Sequence, residues 1–469
     1  MKSIKNYQKV AAVLALALFA GLIWINFDRW FVQPVFSGKE KTGHLVVISV
    51  DALNSRDYDQ ISALPNFRKL LDRGAHAREV EGVYPSLTYP AHTTIITGVY
   101  PDKHGIVNNE VFQAGAGEMD WFWFSKYIRV PTLYDIARES GLKTGALLWP
   151  ATGRADITYN MPEIKAHEGQ SQFWAVLSNG SPLFLLDSQI RFGKIRNGVS
   201  QPELDDFVTA SAKHLIITKK PNIMLIHLTD LDDHRHRYGT MSEEAQKALE
   251  RQDERLGEIV QATADAGIYD QSTFVVLGDH GFLDFSRSIS LNAVFRREGL
   301  ISVDSSGRLL DWKAMLHSCE GSAYVYLKDG DDETRQKVEQ ILMTLKKDVN
   351  SGIGEVYSRE GIAGLRTGGE AGFMLGAREG YSFDNSWDGE LVTTVMPGIT
   401  RSEKDKVATH GYLLNSPGYN TFFMMAGPGV KKGAVLQKIR LIDEAPTMAA
   451  LLGLEMPLAE GKVLEDLLE

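Results

Sequence analysis

Three short apolar runs of the chain each end in acidic or imidazole side chains. The runs are residues 44–50, 222–228 and 272–277, and they lead into Asp51, into the segment 230–236, and into Asp279 with His280. Adjacent polar groups at the end of an apolar strand are costly to bury unless they bind something. Carboxylates and imidazoles together bind divalent cations, and mixed Asp/His ligation suits Zn²⁺, with Mn²⁺ or iron as alternatives.

A hydroxyl group that could act as a nucleophile lies in the segment 85–92, where Thr88 precedes Pro90. Proline favours the first turn of a helix, so we predict a helix that begins near Thr88 and continues through 93–97. Considered alone, Thr88 is better explained as a helix cap, although the positive end of a helix also suits an anionic oxygen. A threonine hydroxyl is a poor nucleophile until a metal ion deprotonates it. Two divalent ions about 4 Å apart could then clamp the attacking and leaving oxygens of a displacement at phosphorus.

The composition is that of a folded protein with a large core. The chain has 469 residues, of which 43% are hydrophobic and 23% are charged, enough for one large α/β domain or two smaller ones. Its formal net charge of −10 gives no basic face for polymeric nucleic acid. A small anionic substrate remains compatible with this charge, because bound metal ions can dominate the local field. Cys319 is the single cysteine, so no intrachain disulfide can form, and we interpret it as a packed thiol.

The first residues of the chain have the features of a membrane anchor. Three lysines precede an unbroken apolar run over residues 10–25, and the tryptophans that follow are typical of a membrane interface. We predict a cytoplasmic N-terminus at 1–9, a transmembrane signal anchor at 10–26 and a stalk at 27–43. The catalytic domain, 44–469, would then face the periplasm from a bacterial inner membrane. The alternative is a secreted protein whose signal peptide has been cleaved.

The elements that must position these side chains follow from the apolar pattern. Short β-branched runs bounded by turn residues predict buried parallel strands over 44–50, 222–228 and 272–277. Helical segments at 131–140 and 242–266 lie between them, so we predict an α/β sandwich: a mostly parallel central sheet with helices on both faces. Ligands of such sheets bind at the carboxyl ends of the strands, where the Asp and His side chains would meet.

The region from about 285 to 400 differs from the rest of the chain in its sequence pattern. It contains a strand-like run at 323–327, an amphipathic helix pattern at 333–347, and glycine-rich turns over 352–369. We interpret it as a small α+β insertion packed on the main sheet. The pattern of the main sheet resumes with His410 and the apolar run 421–425.

Together these segments resemble the nucleotide pyrophosphatase/phosphodiesterase branch of the alkaline phosphatase superfamily. The resemblance extends in order over about 44 to 455 and is carried by Asp51, Thr-Tyr-Pro-Ala-His at 88–92, the segment 97–106, Asp-His-Gly at 279–281 and His-Gly-Tyr at 410–412. It implies an alkaline-phosphatase-like fold with two zinc ions.

The resemblance also implies roles for individual residues. One metal ion would be surrounded by Asp51, Thr88, Asp279 and His280, and the other by Asp232, His236 and His410. The family spacing D-x-x-x-H followed by Tyr-Gly selects Asp232 and His236 from the crowded loop, which leaves Asp230, Asp233 and His234 outside the ligand set. Asn109 would hold a non-bridging phosphoryl oxygen, where charge builds in the transition state. His92 and His104 match structural positions of the family.

The reaction implied is attack of Thr88 on phosphorus, followed by hydrolysis of the phosphothreonine. Small anionic substrates such as nucleotides or other diesters are expected, and Phe112 is a candidate for contact with them. The chain lacks the sulfatase C/S-x-P-x-R segment and the serine and arginine with which alkaline phosphatases grip monoesters. A phosphonoacetate-type phosphonate hydrolase shares the threonine and the metal set and remains the alternative. A catalytically dead, anchored binding protein is the alternative from a different class.

Overall fold

The computed structural model describes residues 40–115, 119–167, 169–395, 406–416 and 418–469. Its strands are β1 (His44–Val50), β2 (Ala75–Glu81), β3 (Thr144–Leu147), β4 (Tyr159–Met161), β5 (Ile223–Leu228), β6 (Ser272–Leu277), β7 (Leu283–Ile289), β8 (Ile301–Val303), β9 (Leu309–Trp312), β10 (Ala314–Cys319), β11 (Ser322–Leu327), β12 (Ile353–Tyr357), β13 (Phe373–Ala377), β14 (Gly380–Phe383), β15 (Val392–Thr394), β16 (Ala408–Thr409), β17 (Thr421–Ala426) and β18 (Val435–Arg440).

The α-helices of the described residues alternate with these strands. They are α1 (Tyr58–Ala63), α2 (Pro65–Leu71), α3 (Thr88–Thr97), α4 (Pro101–His104), α5 (Leu133–Glu139), α6 (Gln172–Leu177), α7 (Pro182–Phe192), α8 (Glu203–Lys219), α9 (Asp230–Tyr238), α10 (Glu243–Asp265), α11 (Leu291–Arg297), α12 (Asp332–Lys347), α13 (Arg359–Leu365) and α14 (Glu444–Leu451).

A central sheet of eight strands has the order β18-β2-β17-β6-β1-β5-β3-β4. In its middle, β1 pairs in parallel with β5 on one side and with β6 on the other. Only β17, among the strands of this sheet, runs antiparallel to both neighbours. The predicted α/β fold with a mostly parallel sheet is therefore confirmed.

The sheet separates two hydrophobic cores, and β1 contributes to both because successive side chains point to opposite faces. Val46 and Ile48 pack into one core with residues of α1, α2, α8 and α10, whereas Leu45 and Val47 pack into the other with residues of α3, α5 and α14. A strand buried on both faces must be apolar along its whole length. This is why the run 44–50 could be recognised in the sequence.

The segment predicted as an α+β insertion builds sheets of its own. Strands β10, β11, β13 and β12 form a four-stranded antiparallel sheet, and β7 lies between β14 and β15 in another. Val338 and Leu342 of α12 are fully buried in a third hydrophobic core on this side. Cys319, Glu320 and Ser382, which belong to these strands or directly follow them, line one cavity of the site described below.

Most predicted boundaries agree with the structure to within two residues. The strands 44–50 and 272–277 are found as predicted, and 222–228 begins one residue later. The predicted helix 242–266 is α10, whose N-cap Ser242 accepts a hydrogen bond from the backbone of Ala245. In the part of the chain that the structure describes, no helix has the length and apolar character needed to cross a membrane. The predicted anchor at 10–26 lies outside those residues.

Candidate active site

The carboxyl ends of three neighbouring strands meet at one edge of the central sheet. Val50 of β1 is in register with Leu228 of β5, and Ser49 is in register with Leu277 of β6. The polar residues that follow these strands therefore start from the same edge. The predicted convergence of the three segments is confirmed by the register.

Thr88 is the first residue of α3 and is 8% exposed. Every residue of this helix is buried, so the orientation of its N-terminus is fixed by the core. Unpaired amide groups and the helix dipole make that end favourable for an anionic oxygen. Thr88 Oγ1 lies 3.2 Å from Nε2 of His280. The hydroxyl therefore adjoins the side chains that follow β6.

We call Asp51, Asp279 and His280 the strand-end cluster. Nε2 of His280 lies 3.3 Å from Oδ1 of Asp51 and 3.2 Å from Oδ2 of Asp279. The other oxygen of Asp279 accepts a hydrogen bond from the backbone N–H of Ala52, at 3.1 Å. The three side chains thus meet Thr88 in one buried group.

We call Asp232, His236 and His410 the helix–loop cluster. Asp232 and His236 are four residues apart on α9 and so share a helix face, with 3.4 Å between Oδ2 and Nε2. Nδ1–H of His236 donates to the carbonyl oxygen of Ala408 at 2.8 Å, which leaves Nε2 for the site. Nε2 of His410 lies 3.9 Å from Oδ1 of Asp232. Ligand atoms of all three residues lie within 4.8 Å of one another.

The two clusters adjoin each other and form one site. The rings of His280 and His410 stack with centroids 3.9 Å apart and an interplanar angle of 25°. Asp51, Asp232 and His280 also bring ligand atoms within 4.8 Å of one another. Two cations held by these clusters would be close neighbours, as a two-metal mechanism requires.

The carboxylate oxygens of the site fit divalent cations. Oδ1 of Asp51, Oδ1 of Asp232 and Oδ2 of Asp279 are buried and have no hydrogen-bond partner among the described residues. Burial and the charge of Asp51 raise the pKa values of Asp232 and Asp279 well above the usual range. Buried carboxylates that repel one another are stabilised in their charged form when a cation binds between them.

The imidazoles of the site also fit metal ligation. Burial lowers the pKa of His236 and of His280 to about 3, and that of His410 to about 4. These rings are therefore neutral at pH 7, which is the form that binds a metal ion. The arrangement can thus hold a pair of divalent cations beside Thr88.

His227, the penultimate residue of β5, is a site residue that the sequence reasoning missed. Its Nε2–H donates to Oδ2 of Asp51 at 3.1 Å, and its Nδ1–H donates to the carbonyl of Leu148 at 3.1 Å. Burial alone would lower the pKa of His227, but the hydrogen bond to Asp51 raises it to about 9. Burial would raise the pKa of Asp51, but His227 and the other imidazoles hold it below its usual range. The sequence feature that could have indicated this role is a single imidazole in an otherwise apolar strand.

A buried ionic network supports α9 and was also missed. Asp230, predicted to lie outside the ligand set, has a fully buried side chain. It accepts from Arg251 at 2.7 and 2.9 Å and from Arg255 at 2.7 Å. Both arginines belong to α10, so the network joins α10 to the first residue of the helix that carries Asp232 and His236.

An ion pair adjoins the helix–loop cluster from the side of the small sheets. Glu320 pairs with Lys406, and its Oε2 lies 3.5 Å from Nε2 of His410. Nζ of Lys406 lies 3.4 Å from Nε2 of His236. This pair could not be predicted from the sequence, because neither residue belongs to a segment with a recognisable pattern.

The structure places Asn109 and Phe112 differently with respect to Thr88. Oδ1 of Asn109 accepts from the backbone N–H of Tyr89 at 2.9 Å, so its amide nitrogen is the donor that remains for a bound oxygen. Asn109 and Thr88 line the same cavity. Phe112 lines neither of the two cavities described below, both of which are lined by Thr88. It stacks instead on Tyr326, with ring centroids 4.0 Å apart.

The histidines that were assigned structural positions are engaged within the core. The two ring nitrogens of His92 lie 2.8 Å from the carbonyl of Thr88 and 2.8 Å from Oγ of Ser49. His104 Nε2 lies 3.0 Å from Oγ1 of Thr94. Cys319 is buried, and burial raises the pKa of its thiol.

Two cavities open on either side of Thr88. One, the apolar cavity, has a volume of about 530 Å³ and extends from Thr88 between helices α6, α7 and α8. The other, the polar cavity, has a volume of about 930 Å³ and extends toward the small sheets. Both are lined by the residues at their junction: Thr88, Glu110, Trp121, Asp232, His236 and Lys406.

Comparison with known proteins agrees with this geometry. A sequence profile described as type I phosphodiesterase/nucleotide pyrophosphatase matches residues 45–413. Venom phosphodiesterase 2 of Crotalus adamanteus is 24% identical over 251 residues, which are 52% of this chain and 27% of that protein. The bis(5′-adenosyl)-triphosphatase ENPP4 of Bos taurus is 22% identical over 424 residues, 88% of this chain and 78% of that protein. The chain thus spans only a minor part of the venom enzyme.

Solved structures show the same fold. Murine ectonucleotide pyrophosphatase/phosphodiesterase 5 superposes with a TM-score of 0.64 at 20% sequence identity, covering 91% of this chain and 100% of that one. An inactive variant of that protein in complex with AMP superposes equally well. Because the profile match covers most of the chain, the protein belongs to the type I phosphodiesterase/nucleotide pyrophosphatase family.

Proposed function

We propose that the chain is a two-metal hydrolase of phosphodiesters or pyrophosphates that works through a phosphothreonine intermediate on Thr88. The observation that carries the proposal is the position of the Thr88 hydroxyl at the N-terminus of α3, 3.2 Å from His280 of the strand-end cluster and in the same cavities as Asp232 and His236 of the helix–loop cluster. Few other roles explain a buried hydroxyl that shares its site with carboxylate oxygens that have no hydrogen-bond partner among the described residues.

The residues of the site would bind two separate cations. Asp51, Asp279 and His280 would hold one cation, and Asp232, His236 and His410 the other, with zinc suited to this mixed set. When bound, such ions stabilise the charged oxygens at phosphorus and lower the pKa of a hydroxyl or water beside them. The family relatives and the AMP complex of the murine protein support small nucleotides and related diesters as substrates.

The chemistry at Thr88 has two steps. Oγ1 attacks phosphorus as its proton is lost, the bond to the leaving alcohol or phosphate breaks, and the leaving group takes the electron pair. Water then attacks the phosphothreonine, releases the phosphorylated product and restores the hydroxyl. Asn109 and the amides at the start of α3 would donate hydrogen bonds to the phosphoryl oxygens, where negative charge builds. Two inversions give net retention at phosphorus.

Replacement of the nucleophile tests this proposal. We expect Thr88→Ala to lower kcat/KM for bis(p-nitrophenyl) phosphate by at least about 10³-fold, because no other hydroxyl would form the intermediate. Bound metal, measured by inductively coupled plasma mass spectrometry, should stay close to the wild-type content, since the six other ligands remain. Thr93→Ala is the matched control, because Thr93 is buried in the same helix and lines neither cavity. Near-normal turnover in Thr88→Ala would refute the assignment.

A further inference from the structure

We infer that the substrate of this site is an amphiphilic phosphodiester, with a hydrocarbon chain in the apolar cavity and a polar alcohol in the polar cavity. This inference rests on the function proposed above and identifies the class of substrate. It follows from three observations: the lining of the apolar cavity, the engagement of its polar groups, and the contrast between the cavities on the two sides of Thr88.

The apolar cavity is walled by aliphatic side chains from several elements. They include Leu148 and Met161 from the sheet edge, Val176 and Leu177 from α6, Leu185 from α7, and Leu204 from α8. Val176, Leu177 and Leu204 are only half-buried, so they keep accessible surface beside the cavity. Apolar surface of this kind gains free energy when a hydrocarbon chain displaces water from it.

Several polar groups that line the same cavity are already engaged with the protein, whereas Oε2 of Glu163 and Oδ2 of Asp233 are buried without a hydrogen-bond partner among the described residues. Arg196 donates to Gln189 at 2.6 Å, and Gln172 donates to the carbonyl of Ile164 at 2.5 Å. Gln201 donates to Asp205 at 2.9 Å and to Thr229. A nucleobase needs partners for both the donors and the acceptors on its edges, and carboxylate oxygens can pair only with its donors, so burying its acceptors here would be costly. A hydrocarbon chain has no such requirement.

The aromatic residues near the junction do not alter this preference. Trp121 and Trp123 stack on each other, with centroids 5.2 Å apart and an interplanar angle of 8°. Tyr89 meets both rings edge-on, at 5.5 and 5.8 Å. One face of each indole is thus covered by the other, and the pair packs as part of the wall.

The polar cavity has a mixed lining, with a larger share of polar groups than the apolar cavity. Its lining includes the hydroxyls of Ser288, Ser318 and Ser382 and the carboxylates of Glu320 and Asp384. Such groups suit a hydrated alcohol. Because Thr88 lines both cavities, a phosphorus atom at its hydroxyl would have the apolar cavity on one side and the polar cavity on the other.

A series of alkyl p-nitrophenyl phosphates tests the inference in the wild-type protein. We would measure kcat/KM for the methyl, butyl, octyl and dodecyl esters below their micelle-forming concentrations. Full burial of one methylene corresponds to about a fourfold gain, so the octyl ester should exceed the methyl ester by at least about 100-fold. Thymidine 5′-(p-nitrophenyl) phosphate is the nucleoside probe and should be a poorer substrate than the octyl ester.

Two substitutions that fill the cavity from different elements sharpen the test. Val176→Trp and Leu204→Trp should bring the octyl-to-methyl ratio of kcat/KM close to one. Ile190→Trp is the matched control: Ile190 is 82% exposed on α7 and does not line the cavity, so its ratio should equal that of the wild type. Turnover of the methyl ester shows whether each variant is folded.

The outcomes separate this inference from the proposed function. If the wild type hydrolyses the methyl ester and bis(p-nitrophenyl) phosphate but gains less than about fivefold from the octyl chain, this inference is wrong and the proposed function stands. A preference for the thymidine ester over the octyl ester would likewise overturn it in favour of a nucleotide site. If no diester is hydrolysed, the proposed function fails as well.

Discussion

The strand-end cluster and the helix–loop cluster have similar ligands but are held in different ways. Side-chain exposure is 4% for Asp51 and zero for Asp279 and His280. It is 17% for Asp232, 10% for His236 and 4% for His410. The first cluster follows two central strands of the sheet, whereas the second lies on α9 and on the loop after β16.

The difference shows two ways to preorganise side chains that could hold a metal ion. The strand-end cluster is fixed by the packed core, by the N–H of Ala52 and by His227. The helix–loop cluster depends on the ion pairs of Asp230 with Arg251 and Arg255, which hold the start of α9. We therefore expect changes in the first cluster to alter the metal site locally, and changes beneath the second to alter protein stability as well.

Removal of one ligand from each cluster should give the largest effects. Asp279→Asn and His236→Ala should each lower kcat/KM for bis(p-nitrophenyl) phosphate by at least about 100-fold. This loss exceeds the usual effect of replacing a residue that only hydrogen-bonds to a metal ligand. Metal analysis should show that His236→Ala retains the ion of the strand-end cluster. If His236→Ala loses all bound metal while Asp279→Asn loses none, the contrast between the clusters is wrong.

The ionic network under α9 should make a large contribution to stability. Asp230→Ala leaves two buried arginines without their carboxylate, so we expect the free energy of unfolding to fall by about 3–5 kcal/mol. Urea denaturation monitored by tryptophan fluorescence measures this. Asp187→Ala is the control, because Asp187 pairs with Arg191 at the surface and such pairs contribute about 0–1 kcal/mol. Equal losses in the two variants would contradict the network's role.

His227 should act as a positioning residue for the strand-end cluster. His227→Phe removes the hydrogen bond to Asp51, and we expect metal affinity to fall by about 10–100-fold. Competition with a chromogenic chelator measures the affinity, and excess metal should restore much of the activity. The control is His214→Phe, since His214 pairs with Asp187 outside the site. Unchanged affinity in His227→Phe would show that the core alone orients Asp51.

Substitution of Glu444, whose charge interacts with that of Asp279, should give a smaller, pH-dependent effect on stability. Burial, with the charges of Asp443 and Asp279, raises its pKa well above the ordinary value of 4.5. The folded protein therefore keeps this proton at pH values where the unfolded chain has lost it, so stability falls as pH rises above that value. Glu444→Gln should raise the free energy of unfolding by about 1–3 kcal/mol at pH 8 and by less at pH 5. If the free energy of unfolding changes with pH in the same way in the wild type and the variant, Glu444 does not make this contribution.

The sequence predicted those parts of the site that depend on local pattern. Asp51 and Asp279 could be located because strands buried on both faces are continuously apolar and end abruptly. The role of Asp230 could not be predicted, because its partners Arg251 and Arg255 belong to the next helix and the charges resemble a solvated surface. The role of His227 could not be predicted for the opposite reason, since the strand around it is apolar and indicates only packing in the core.

Contacts between distant parts of the chain explain the other features of the site that the sequence did not predict. Phe112 follows Asn109 closely in sequence and was expected near the substrate, yet it stacks on Tyr326 of β11. Glu320 reaches His410 because the backbone N–H of Gly321 donates to the carbonyl oxygen of His410 at 2.9 Å, which holds the two segments together. The apolar cavity is built by α6, α7 and α8, whose apolar residues look like ordinary core positions in the sequence.

The central claim is that Thr88 forms a covalent bond to phosphorus, and rapid acid quenching tests it directly. Excess bis(p-nitrophenyl) phosphate would be mixed with the metal-loaded protein, quenched within milliseconds to seconds, and the peptides analysed by mass spectrometry. The account predicts a p-nitrophenyl phosphoryl group on the peptide that contains Thr88, formed together with a burst of p-nitrophenol. Turnover without this adduct, and with net inversion at phosphorus for a chiral diester, would contradict it.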